Sequence, residues 1–94
     1  MMNTNEAKEL AKKLKDSAEY LMVNWEQFNY CQAWIGDISP RYSLIKSYCT
    51  IVGLVDHEER VVYELGKWTR TTSKQVTQIC NQVYRSYTAV RYGR

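Results

Sequence analysis

The sequence predicts an α+β domain in which a long N-terminal helix, a two- or three-stranded antiparallel sheet and a C-terminal helix follow one another as α-β-β-(β)-α. Three observations predict it. Apolar residues recur at helical spacing over residues 5–30, two runs rich in β-branched and aromatic residues occupy the middle, and a second helical stripe follows a capping signal near the end. Helices packed on one face of such a sheet would enclose a single core, so residues 1–94 read as one domain.

Thr4 can cap the first helix. Ala7, Leu10, Leu14, Ala18, Leu21, Trp25 and Phe28 then form one stripe in steps of three and four. Glu9 with Lys13, Lys12 with Asp16 and Lys15 with Glu19 sit four apart on the opposite face, a spacing that suits solvated ion pairs. The run Gly36-Asp37-Ile38-Ser39-Pro40 breaks this pattern with turn-forming residues. Tyr42–Val55 follows as one strand, or as two with a bend near Ser47, apolar on both faces as a central strand requires. Asp56–Arg60 is a polar loop, and Val61–Trp68 returns as the second arm of a hairpin. Thr72 and Gln75 are spaced as a capping box. Val76, Ile79, Cys80, Val83, Tyr87 and Val90 carry the last helix to about Ala89.

Catalysis needs a nucleophile with a base, a carboxylate pair or a metal set. The one histidine, His57, falls in the polar loop beside Asp56, Glu58 and Glu59, where it reads as solvated and unpartnered. Gly53 and Gly66 lie in strands and not in a phosphate-cradling loop. Cys31, Cys49 and Cys80 are odd in number, scattered and without a C-x-x-C pair. The residues therefore point to no catalytic site, no metal and no cofactor. With a charged segment at Asn3–Lys15 and no long apolar run, they also point to reduced thiols in a cytoplasm and to no membrane partner.

Charge is the informative signal. Residues 1–40 hold four lysines against six acids, while residues 41–94 hold nine basic residues against four acids. Within the second part, residues 65–94 contain Lys67, Arg70, Lys74, Arg85, Arg91 and Arg94 and no acid. Lys67, Arg70 and Lys74 straddle the start of the last helix, where backbone N–H groups already favour an anion. Arg85, Arg91 and Arg94, interleaved with Tyr84, Tyr87 and Tyr92, could contact phosphates and stack on bases. Trp68 completes the candidate partner- or nucleic-acid-binding set, because Trp suits recognition surfaces. A basic residue near a helix C-terminus also complements the helix dipole, which is the plainer explanation of the last arginines.

Three segments, Ser47-Tyr48-Cys49-Thr50-Ile51-Val52, Val62-Tyr63-Glu64-Leu65-Gly66-Lys67-Trp68 and Thr71-Thr72-Ser73-Lys74, resemble a core of small uncharacterised phage and prophage proteins. That core reads S-Y-x-T-I-V, then Y-x-x-G-x-aromatic, then T-T-S-K opening a helix. It covers about a third of the chain, and where such sequences often have His after the last lysine this one has Gln75. The resemblance implies a phage or mobile-element origin and supplies no catalytic residue. Short proteins of that origin are often host-directed inhibitors, including inhibitors of CRISPR effectors. The element order is also that of double-stranded RNA-binding domains, an analogy of architecture only.

The expectation is thus a non-catalytic inhibitor or adaptor that occupies a host protein, in the host cytoplasm. The alternative is an accessory protein that binds DNA or RNA through its basic last third. The stripe on the first helix offers a homodimer face as well.

Overall fold

The computed structural model describes residues 1–92. Its centre is a six-stranded mixed sheet in the spatial order β1-β2-β3-β4-β5-β6, with one helix on each face. The strands are β1 Trp25–Gln27, β2 Ala33–Asp37, β3 Tyr42–Ser47, β4 Thr50–Asp56, β5 Val61–Glu64 and β6 Thr88–Val90. The helices are α1 Thr4–Lys15 and α2 Arg70–Gln82. Five strands meander antiparallel, and β6 returns parallel to β5 after the α2 crossover. This corrects the two- or three-stranded sheet with both helices on one face. The analogy with double-stranded RNA-binding domains, built on helix, three strands, helix, goes with it.

The long first helix is the main correction. Asn3, not Thr4, caps α1 through a reciprocal box with Glu6. The helix stops at Lys15, Ser17 turns its hydroxyl onto the Leu14 carbonyl, and a short 3-10 turn covers Ala18–Met22. Beyond it lies the β1–β2 hairpin, whose loop places Asn29 and Tyr30 at φ 47° and 57°. Helical spacing past residue 18 was a coincidence of apolar residues. Trp25 packs into the α1-side core and Phe28 into the α2-side core, while Leu21 is 86% exposed. The stripe from which a helix-1 homodimer was read is therefore split over both faces of the sheet. None of the three i,i+4 pairs on its outer face closes to an ion pair.

The middle of the chain follows the reading more closely. Tyr42–Val55 is two strands joined at Tyr48-Cys49, where Tyr48 takes φ 54°. A bulge follows, because Lys46 pairs with Ile51 and Ile45 with Gly53. Strand β5 ends at Glu64, short of Trp68. Helix α2 is capped by Thr69, whose hydroxyl accepts from the Thr72 N–H at 3.3 Å. Gln75 is not a capping partner. It is buried and accepts a hydrogen bond from Ser47 at 2.8 Å. The helix ends at Gln82, seven residues before the expected Ala89, and Thr88-Ala89-Val90 pair with β5 instead.

The two faces hold separate cores. Leu44, Leu54, Val61, Tyr63 and Leu65 pack under α1, and Ile45, Val52 and Val62 pack under Val76 and Ile79 of α2. Asp56, 1% exposed, organises the β4–β5 loop by accepting the Glu58 and Glu59 N–H groups and the Arg41 guanidinium. Burial alone would raise its pKa. The Arg41 hydrogen bond and the Glu59 and Glu58 N–H groups outweigh burial and hold the carboxyl below its ordinary value. A depressed folded pKa stabilises the native state above the unfolded pKa, near 4, and that contribution disappears as pH falls through the folded value. Acid titration of thermal unfolding should therefore show wild-type stability falling below about pH 4. Asp56→Asn should start lower by about 2 kcal/mol at neutral pH and lose less in acid. An acid profile unchanged by the substitution would contradict this role.

Candidate functional site at the basic end of the sheet

Trp68 stands at the end of the sheet where β3 and β5 finish and β4 and α2 begin. It packs against both cores, and its ring lies so close to Gly66 that a Cβ there would sit 2.9 Å from Cζ2. Its indole Nε1 is buried without an acceptor among the described residues. The ring thereby walls two clefts. The first, about 580 Å³, runs along α1, with Lys8, Lys12 and Lys15 above an apolar floor of Ala11, Ile51 and Leu65. The second, also about 580 Å³, lies between Lys67, the start of α2 and the strand end at Arg91-Tyr92.

Arg70 and Lys74 project from the first turns of α2, both exposed. Lys8, Lys12, Lys15, Lys67, Arg70 and Lys74 make no ion pair among the described residues. Arg91 differs, since it bridges Glu64 at 3.2 Å and Thr77 at 2.8 Å while the Tyr92 N–H donates to Glu64. Lys8 Nζ lies 5.9 Å from the centroid of the Tyr92 ring, which joins the two clefts.

The charges of α2 run against its dipole. A helix gains from acids in its first turn and bases in its last. Helix α1 follows this rule, with Glu6 at its start and Lys12, Lys13 and Lys15 at its end. Helix α2 has no acid in its first turn, carries Arg70 there, and has no base in its last turn. Because α2 stops at Gln82, Arg85 and Arg91 lie beyond it, and dipole complementation does not account for them.

Of the residues singled out from sequence, Lys67, Trp68, Arg70, Lys74, Arg91 and Tyr92 come together at this end. Arg85 is exposed in the turn after α2, and Tyr87 lies at the opposite end. Arg94 falls outside the described residues. Sequence reasoning missed Lys8, Lys12 and Lys15, counted with an acidic half, although their spacing of four and three already put them on one helix face. Of the other two tryptophans, Trp25 and Trp34 clasp Lys46, whose Nζ is 4.2 and 5.6 Å from their ring centroids.

Comparison with family models, with curated proteins and with solved structures returned no match. Among the described residues no helix is long and apolar enough to cross a membrane, and no three His, Cys, Asp or Glu side chains are grouped to hold a metal ion.

His57 is not the solvated, unpartnered residue expected. Its Nε2 lies 2.6 Å from Ser43 Oγ and its Nδ1 2.9 Å from the Tyr87 hydroxyl, while Ser43 donates to Asp37. With the Ser43 proton committed to Asp37, Nε2 donates to Ser43 Oγ, and Nδ1 shares a hydrogen bond with the Tyr87 hydroxyl. Both ring nitrogens are thus engaged in tying β2, β3 and β4 to the segment after α2.

Proposed function

We propose that this chain is a non-catalytic binding protein of phage type, an inhibitor or adaptor that seats its basic end on an acidic surface of a host protein in the cytoplasm. The observation that carries this reading is the reversed charge of α2. Arg70 sits where its charge costs stability, beside five other unpaired basic side chains. Such a placement makes sense where an anionic partner completes the site.

Two features favour a protein over a nucleic acid. The α1 cleft combines lysines with an apolar floor of Ala11, Ile51, Leu65 and Trp68, which suits an apolar anchor flanked by acids. The Trp68 ring is held between the two cores, so it lines the clefts as a fixed wall and does not stand out as a stacking platform for successive bases. Direct DNA or RNA binding is the alternative, supported by the same unpaired charges.

Affinity capture from nuclease-treated host lysate decides between them, combined with anisotropy titrations of labelled DNA and RNA at rising salt. A discrete protein complex that survives nuclease and is lost with Trp68→Ala supports the proposal. Micromolar nucleic-acid affinity near physiological salt, falling log-linearly with salt, would replace it with the alternative.

A further inference from the structure

A third cleft lies on the α2 face of the sheet, along its β1–β2 edge. Strands β1 and β2 extend past the last turn of α2 and leave a cleft of about 570 Å³. Phe28 and Ile35 form its floor, and Tyr84, 8% exposed, forms one wall. Asn29 at the hairpin tip donates to Gln82 at the helix end at 3.0 Å, which sets the width of the opening.

Two carboxylates stand over this floor. Glu26 pairs with Ile35 across the β1–β2 ladder, and Asp37 lies two residues further along β2, so both side chains occur on the face that α2 covers. Neither makes an ion pair among the described residues. The negative end of α2 adds to them, because its last turn carries no base. Burial, then the charge of Asp37, pushes the Tyr84 phenol up to about 12, so this wall stays uncharged. His57 also lines the cleft, but both of its nitrogens are engaged, leaving only its ring to a ligand.

A negative cleft with an aromatic and aliphatic floor selects a cation with an apolar stem. A bare metal ion is disfavoured by the absence of a third ligand among the described residues. An alkylammonium or guanidinium head reaches both carboxylates while its methylenes lie on Phe28 and Ile35.

We propose that the Glu26/Asp37 cleft is a second binding site, lined by none of the residues of the two Trp68 clefts, for an organic cation of the alkylammonium or guanidinium class. The ligand chemistry is that of an arginine or lysine side chain and equally that of a free polyamine.

Amide chemical-shift titrations of the intact chain test it, with agmatine in one arm and a capped tripeptide with a central arginine in the other. Saturable shifts at Phe28, Ile35 and Tyr84 with a dissociation constant of about 1 mM or tighter are expected. Glu26→Gln should weaken binding about fivefold, and Glu26 is exposed without a hydrogen bond, so its fold should survive. Asp37→Asn, which keeps an acceptor for Ser43, should do the same. Tighter binding of the tripeptide supports the site and assigns it a protein side chain; tighter binding of agmatine supports it and assigns a free amine. No saturable shift with either probe, or affinity unchanged in both variants, overturns the proposal.

Discussion

Arg70→Glu with Lys74→Glu is expected to abolish partner binding and to make the protein more stable. Arg70 occupies the first helical position of α2 and Lys74 the second turn, and the described chain offers neither a carboxylate. Reversing them replaces repulsion at the positive helix end by attraction, and together that contributes about 1 kcal/mol. For a domain of this size the melting temperature should rise by about 4–8 °C. The same reversal places negative charge against the acidic surface proposed as partner, where like-charge contact costs several kcal/mol, so affinity should fall by about 100-fold or more. Circular-dichroism melts and a binding titration on one preparation read both numbers. A structural role for the two cations predicts the opposite sign of the first, with melting temperature falling. Unchanged affinity would remove the basic end from the interface.

Gly36→Ala should be more damaging than the same change at Gly53 or Gly66. A Cβ at Gly36 would lie 2.3 Å from Val23 Cγ1 and 2.8 Å from Trp25 Cε3, inside any allowed contact. The glycine in β2 lets Trp25 lie flat across the sheet, where the ring also holds Lys46. Added volume forces Val23 and Trp25 off the sheet and strips cover from the α1-side core, at about 3 kcal/mol. Out of a total stability of about 5–14 kcal/mol this is a large loss. Chemical denaturation should show it as a lower midpoint, and hydrogen exchange should show the hairpin at Trp25–Asp37 opening first. A destabilisation below about 1 kcal/mol would mean that the edge strand moves away freely and contributes little.

That second prediction also marks where the sequence misleads. Trp25 and Phe28 continue the spacing of Leu10 and Leu14, so periodicity extends α1 through a segment that pairs as strands. Its loop at Asn29-Tyr30 contains no glycine or proline to announce a turn. Strand β6 was hidden in the same way, since Val83, Tyr87 and Val90 keep a helical step. Tyr87 instead turns onto His57, and Val90 lies in the α1-side core.

The features legible along the chain are those that short-range physics encodes. The first three turns of α1, the β3–β4–β5 region, the presence of α2 and the accumulation of basic residues after Leu65 all follow from periodicity, turn chemistry and composition, whereas the cap of α2 is Thr69 and not the Thr72/Gln75 box. The number of strands in the sheet, the face each helix covers and the charges that meet emerge from long-range packing. Lys8, Lys12 and Lys15 join Lys67, Arg70 and Lys74 because α1 and α2 both border Trp68, some sixty residues from α1 along the chain. Asp37, Ser43, His57 and Tyr87 meet because strand pairing and the α2 crossover bring four separate segments to one end. Pairing across long separations is settled by burial on the sheet faces, and no local pattern in a single chain carries that information.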